Sequence, residues 1–122
     1  LVDGFNEYAH PGNLNTLPFY QACRTRLSDD GLIAVNLLGL CRGVMGGFAH
    51  ILNAFEDRAI MFPPSVSGNT VAFAAAGDYI EISFDELKEK APVLKQEAGL
   101  NLLPTLARLA QAKTCLNNQL IR

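Results

Sequence analysis

No apolar run in these 122 residues approaches the roughly 20 that a membrane span needs. Basic charge is also thin. The ten Lys and Arg residues are scattered and the net charge is −2, which excludes the clustered basic footprint of a nucleic-acid binder. Cysteine is scarce and odd in number: Cys23, Cys41 and Cys115 form no CxxC pair. A disulfide framework or zinc site is therefore not expected, and a reducing cytoplasm is. Two isolated histidines, His10 and His50, do not make a metal site. Gly43, Gly46 and Gly47 lack P-loop spacing and no Lys-Ser/Thr follows them, so close packing or a hinge is their expected role. No Ser-His-Asp or Cys-His set can be assembled, and there is no internal repeat or low-complexity tract.

What remains is an ordinary globular composition. Hydrophobic residues make up 49% and charged residues 18%, enough for a moderate core in at most one domain. Leu1-Val2 looks like the tail of a strand that Asp3-Gly4 ends, followed by a loop punctuated by Pro11 and Gly12. Because the sequence opens inside that strand without Met, it is expected to be the second half of a larger protein. A helix is predicted over 18–27, burying Phe19, Ala22, Cys23 and Leu27. The run Leu32–Leu38 is apolar on both faces apart from Asn36, as a central parallel strand reads. A glycine-bearing loop is expected over 39–47, running into a helix over 44–55 with Met45, Phe48, Leu52 and Phe55 buried. Residues 59–62 and 69–75 read as an antiparallel pair joined by a turn. Ser83 and Glu86 have capping-box spacing for a helix ending before Gly99, and a last helix begins near Pro104. Alternating strands and helices predict an α/β sheet with a mixed edge.

Asp3 is the sharpest candidate for chemistry. A half-desolvated carboxylate at a strand end sits where open α/β sheets place ligands, and it can act as a general base or bind a cation. The plainer alternative is a turn Asp bonding its own backbone. Asn6, Glu7, Tyr8 and His10 follow in one loop and could line the same cleft.

The stretch from Asp3 to Phe19-Tyr20 resembles the Asp-x-x-Asp-Pro loop and following helix of the spermidine synthase (polyamine aminopropyltransferase) family. The likeness continues through Arg26–Asn36 and resumes at Pro64–Phe73, covering about residues 1–77. It implies the C-terminal half of a Rossmann-like class I S-adenosylmethionine-dependent methyltransferase sheet, its last two strands antiparallel, over residues 1–77. Residues 78–122 would be a helical extension. The implied reaction moves the aminopropyl group of decarboxylated S-adenosylmethionine to a polyamine such as putrescine, with Asp3 helping to deprotonate the amine. Asn6, Glu7, Tyr8, Asn36 and Ser65 would face the substrate. Both the glycine-rich nucleotide loop and the acid that reads the ribose would lie upstream, so this stretch alone should bind no nucleotide and be inactive. The full protein is expected to be a cytoplasmic homodimer with neither nucleic-acid nor membrane partners. Departures from the family pattern keep two alternatives in view. Asn6 replaces the second Asp, Glu7 the proline, Asn36 a Gln, and Ser65 a substrate-lining Tyr. Asn6 and Ser65 favour a methyltransferase with another acceptor, using S-adenosylmethionine itself, or a non-catalytic binding or scaffold domain, whereas Asp3 favours aminopropyl transfer.

Overall fold

The computed structural model describes residues 1–6, 10–38, 41–79 and 82–115, with backbone alone at 41–43 and 112–115. They form an α/β arrangement of three strands and four helices in two compact units, one of Leu1–Tyr79 and one carrying the last two helices. In the first unit a 3-10 turn, Gly12–Asn15, leads into α1 (Leu17–Arg26), β1 (Leu32–Leu38), α2 (Cys41–Ala54), β2 (Ala59–Met61) and β3 (Asn69–Ala75). Thr16 caps α1, its side chain accepting from the Phe19 amide, with Pro18 in the first turn where a missing N–H costs nothing.

The sheet order is β1-β3-β2. The expected antiparallel pair is present, Ala59 lying opposite Ala74 and Met61 opposite Ala72, but β3 also inserts between β2 and β1. Thus β1 is not a central parallel strand. On one side it runs antiparallel to β3 from Leu32↔Ala75 to Leu38↔Asn69, and on the other it has a parallel bridge with Val2. The three strands thus pair antiparallel throughout, and among the described residues the parallel component of the expected mixed edge is confined to the isolated Val2–Val35 bridge.

Side chains on the sheet alternate. Ile33, Val35 and Leu37 of β1, Thr70, Ala72 and Ala74 of β3 and Ala59 of β2 are buried on one face, which α2 covers. The opposite face carries Asn36, with Leu32 59% and Phe73 36% exposed. The helix stripes differ from expectation. α2 begins at Cys41, so the expected glycine loop is largely its first turns, and it buries Phe48, Ile51 and Ala54, with Phe55 buried just after its end, while Met45 stays 48% exposed. Spacing alone could not distinguish the two stripes, since both contain Phe48 and Phe55. In α1 the fully buried residue is Tyr20, not Phe19, and Ala22 is exposed. The face turns inward at Tyr20 and Arg24 because both bury their stems while placing polar tips on partners: Tyr20 on Asn15 and Arg24 on the Ala54 carbonyl at 3.0 Å.

The turn from α2 to β2 places two consecutive non-glycine residues, Glu56 and Asp57, in the left-handed region, at φ 52° and 64°. Each such residue costs roughly 1–2 kcal/mol. The Glu56 carboxylate offsets part of this by bridging Arg24 at 2.9 Å and Arg58 at 3.1 Å. The Tyr79 hydroxyl donates to the Glu56 carbonyl at 3.3 Å. The Arg24 hydrogen bond and charge, then Arg58, hold the Glu56 carboxyl below its usual value. A lowered carboxylate stabilises the fold above its unfolded pKa, and that contribution disappears as pH falls through the folded value. Thermal melts should therefore show Glu56→Gln less stable than the native protein near pH 7, with the gap closing below the ordinary glutamate range. Parallel curves throughout would remove the ion pairs from the stability of this turn.

In the second unit, α3 (Phe84–Ala98) opens with the predicted capping box: Ser83 Oγ accepts from the Glu86 amide while Glu86 accepts from the Ser83 amide. Gly99 ends it at φ 71°, a left-handed cap that glycine adopts without a Cβ clash. α4 is Leu103–Cys115, and its Leu106, with Leu102 before it, lines an apolar groove with Leu87, Ala91 and Leu94 of α3.

Candidate functional site

The short parallel bridge places Asp3. The Val2 amide donates to the Ala34 carbonyl at 2.8 Å, and the Asn36 amide donates to the Val2 carbonyl at 2.9 Å. This register sets Asp3 beside Asn36, whose Nδ2 donates to Asp3 Oδ1 at 2.9 Å. Asp3 is exposed rather than half-desolvated, because the chain leaves the sheet edge at once. Its recorded carboxylate partner is a side chain 33 residues away, not its own turn. The same bond fixes the Asn36 amide so that its Oδ1 is buried with no hydrogen-bond partner among the described residues. A buried acceptor left unmade carries a cost of about 1–3 kcal/mol, so a donor arriving there is favoured.

The other expected residues divide. Asn6 closes its own loop: its amide donates to the His10 carbonyl, and its Oδ1 accepts from the His10 amide, both at 2.9 Å. Glu7 and Tyr8 lie outside the described residues. Ser65 sits in the β2–β3 turn, its Oγ 2.8 Å from Ser67 Oγ and its amide donating to the Asn69 carbonyl. Asn69 pairs with Leu38, so this turn lies toward the same end of β1 as the Asp3–Asn36 pair. The exposed His50 is not drawn into the site, and no group of three His, Cys, Asp or Glu side chains converges among the described residues.

Two residues were not foreseen. Asn15 and Tyr20 line a small cavity together with Gly4, Leu14 and Asn36, with room of about 10 Å³, close to one water. The Tyr20 hydroxyl donates to Asn15 Oδ1 at 2.8 Å. Burial, then the neighbouring Cys23, pushes the Tyr20 hydroxyl up to about 12, so it stays a neutral donor. The sequence signal was a Tyr on an amphipathic helix, whose buried hydroxyl must find a partner. A larger cleft of about 840 Å³, lined by Arg24, Asp29, Glu56, Arg58 and Asp78 among others, opens near the α2–β2 turn. Both of its arginines are engaged with Glu56, which makes it a poorer candidate than its size suggests.

Comparison with known proteins places these residues in context. No family model matches the chain, and no solved structure matches it. Polyamine aminopropyltransferases from two Neisseria meningitidis strains, of serogroups A and B, are each 31% identical over 109 residues, 89% of this chain. One from Chromobacterium violaceum is 28% identical over 111 residues, 91% of the chain. The chain spans only 41–42% of the length of these curated relatives. Over nine-tenths of its length, the chain is therefore similar to part of the polyamine aminopropyltransferases, the family that its Asp3–Tyr20 stretch resembles.

Proposed function

We propose that this chain is the C-terminal part of a spermidine synthase-like aminopropyltransferase, with Asp3 as the base and Asn36 as its partner toward the amine. The observation that carries this reading is the Asp3–Asn36 pair, a carboxylate held beside a buried and unpartnered amide oxygen. An exposed carboxylate suits a protonated amine, and the buried Asn36 Oδ1 behind it still lacks a donor. Asp3 takes the proton, and the freed nitrogen lone pair attacks the aminopropyl carbon next to the donor's sulfonium. A C–N bond forms, the C–S bond breaks with its electrons going to sulfur, and methylthioadenosine leaves. Asn36 orients the carboxylate through Nδ2 and offers Oδ1 to an ammonium hydrogen. Glu7, Tyr8, Asn6 and Ser65 are assigned, on the family pattern alone, to the acceptor's surroundings.

On this reading residues 1–77 are the C-terminal half of a class I, Rossmann-like sheet and 78–122 a helical extension. A parallel entry at Val2 followed by an antiparallel last strand supports that assignment. Decarboxylated S-adenosylmethionine is bound by upstream elements of a cytoplasmic homodimer. Among the described residues no helix is long and apolar enough to cross a membrane. One observation favours a second reading, a methyltransferase with another acceptor or a non-catalytic domain: Asn6 supplies no charge and is engaged in closing its loop.

The test is to incubate the complete protein with decarboxylated S-adenosylmethionine and putrescine and to follow methylthioadenosine. Its formation together with spermidine is expected. Release of S-adenosylhomocysteine from S-adenosylmethionine instead would select methyl transfer. Failure to bind either nucleoside product by calorimetry would select a non-catalytic role.

A further inference from the structure

We propose that Asn15 is a positioning residue, held by the Tyr20 hydroxyl and seated on Gly47, that fixes the loop carrying Asp3. The inference rests on the reading that Asp3 does the chemistry. Asp3 stands at the head of a loop that leaves the sheet at Gly4 and returns at the 3-10 turn ending in Asn15. An exposed carboxylate on such a loop has one recorded side-chain tether, Asn36. Its direction therefore depends on how firmly the loop backbone is held.

Three closures hold it. Asn6 and His10 exchange two hydrogen bonds across the loop's middle. Leu14 lies so close over Gly4 that a Cβ there would collide with its Cδ1. Asn15 makes the third closure and ties the loop to both helices. Its Oδ1 accepts from Tyr20 of α1, the fully buried anchor of the unit. Its amide group also rests on Gly47 of α2, where an added Cβ would come 2.5 Å from Oδ1 and 2.9 Å from Nδ2. Leu14 and Asn15 are adjacent, so the bond that holds Asn15 also holds Leu14 over Gly4, one residue from Asp3. Asn15, Tyr20, Leu14, Gly4 and Asn36 all line the same small cavity. Placement of this kind affects rate strongly, since an error of about 1 Å can cost on the order of 100-fold.

The test uses the complete protein and three variants: Tyr20→Phe, which keeps the buried ring and removes only the hydroxyl; Asn15→Ala; and Asn15→Asp, which retains an acceptor. Amide hydrogen exchange is read residue by residue, beside kcat and KM for the amine and the nucleotide. In Tyr20→Phe and Asn15→Ala, exchange at the hydrogen-bonded loop amides of Asn6, His10 and Leu14 should speed roughly 10-fold, the worth of one hydrogen bond, while β1 and β3 keep native protection. The value of kcat should fall by a similar factor with KM for the nucleotide unchanged, and Asn15→Asp should recover both. Unchanged loop exchange in Tyr20→Phe overturns the proposal. So does exchange that rises equally in β1 and β3, which would mark a general stability effect. If native protein shows no aminopropyl transfer yet the loop alone loosens, the positioning role stands and the assigned reaction falls.

Discussion

Asp3→Asn is expected to lower aminopropyl transfer by the complete protein roughly 100-fold or more, the usual cost of losing a positioned general base. The substitution is nearly isosteric, and an amide oxygen can still accept from Asn36 Nδ2, the bond seen at 2.9 Å. What disappears is the capacity to take a proton and the charge that attracts an ammonium. The loss should therefore appear in kcat, with a weaker rise in KM for the amine. Binding of methylthioadenosine should be unaffected, because the proposed role of Asp3 is on the acceptor side of the reaction. Steady-state kinetics at saturating nucleotide decides the matter, and an Asp3→Asn protein with native turnover would take Asp3 out of the mechanism. Because Asp3 is exposed, a loss of rate could not be ascribed to a collapsed core.

The second large effect concerns stability. Phe55→Ala should destabilise the first unit by about 3–5 kcal/mol, the range for removing a buried aromatic side chain. Phe55 is 0% exposed at the end of α2, on the stripe with Phe48 and Ile51 that closes the covered face of the sheet. Its amide donates to the Ile51 carbonyl at 3.0 Å, and the left-handed pair Glu56–Asp57 follows immediately. Shifting the helix end to refill the void would disturb the Arg24 bond to the Ala54 carbonyl and the Glu56 ion pairs to Arg24 and Arg58. Domains of this kind are stable by only about 5–15 kcal/mol in total. Urea unfolding followed by fluorescence or circular dichroism measures the change. A loss below about 1 kcal/mol would mean that the site repacks and that Phe55 is not a keystone of the core.

Local pattern carried the sequence reading where the physics is local. Apolar composition and bounding turns located Leu32–Leu38 and Asn69–Ala75, and the spacing of Ser83 and Glu86 fixed the start of α3 to the residue. Asp3 stands out in the sequence because an acid after an apolar run is a local signal, and the family resemblance of the chain as a whole is matched by the aminopropyltransferases. What the sequence hid depends on contacts across distance. The Asp3–Asn36 bond joins residues 33 apart, and no local rule pairs them. Hydropathy favours Phe19 over Tyr20 because it ranks Tyr low for its hydroxyl, whereas Asn15 makes burial of that hydroxyl possible. Met45 and Ile51 are equally placed by helical spacing, and only the underlying sheet decides which of them faces it.

The place of β3 between β1 and β2 has a kinetic consequence. No two strands of this sheet that neighbour each other in sequence before Asn69 are neighbours in space. Once β1 and β2 have been synthesised, neither has a ladder partner in the three-stranded sheet, and each waits for the segment that comes last. When it arrives, the β2–β3 hairpin closes locally, whereas β1 must be captured across sequence separations of 31 from Leu38 to Asn69 and 43 from Leu32 to Ala75. Closing such a span before its contacts form slows a chain. The order of assembly is then hairpin first and β1 afterwards. The β1–β3 ladder, which ties the strand that takes up Val2 to the rest of the sheet, is then the last of these strand pairings to close.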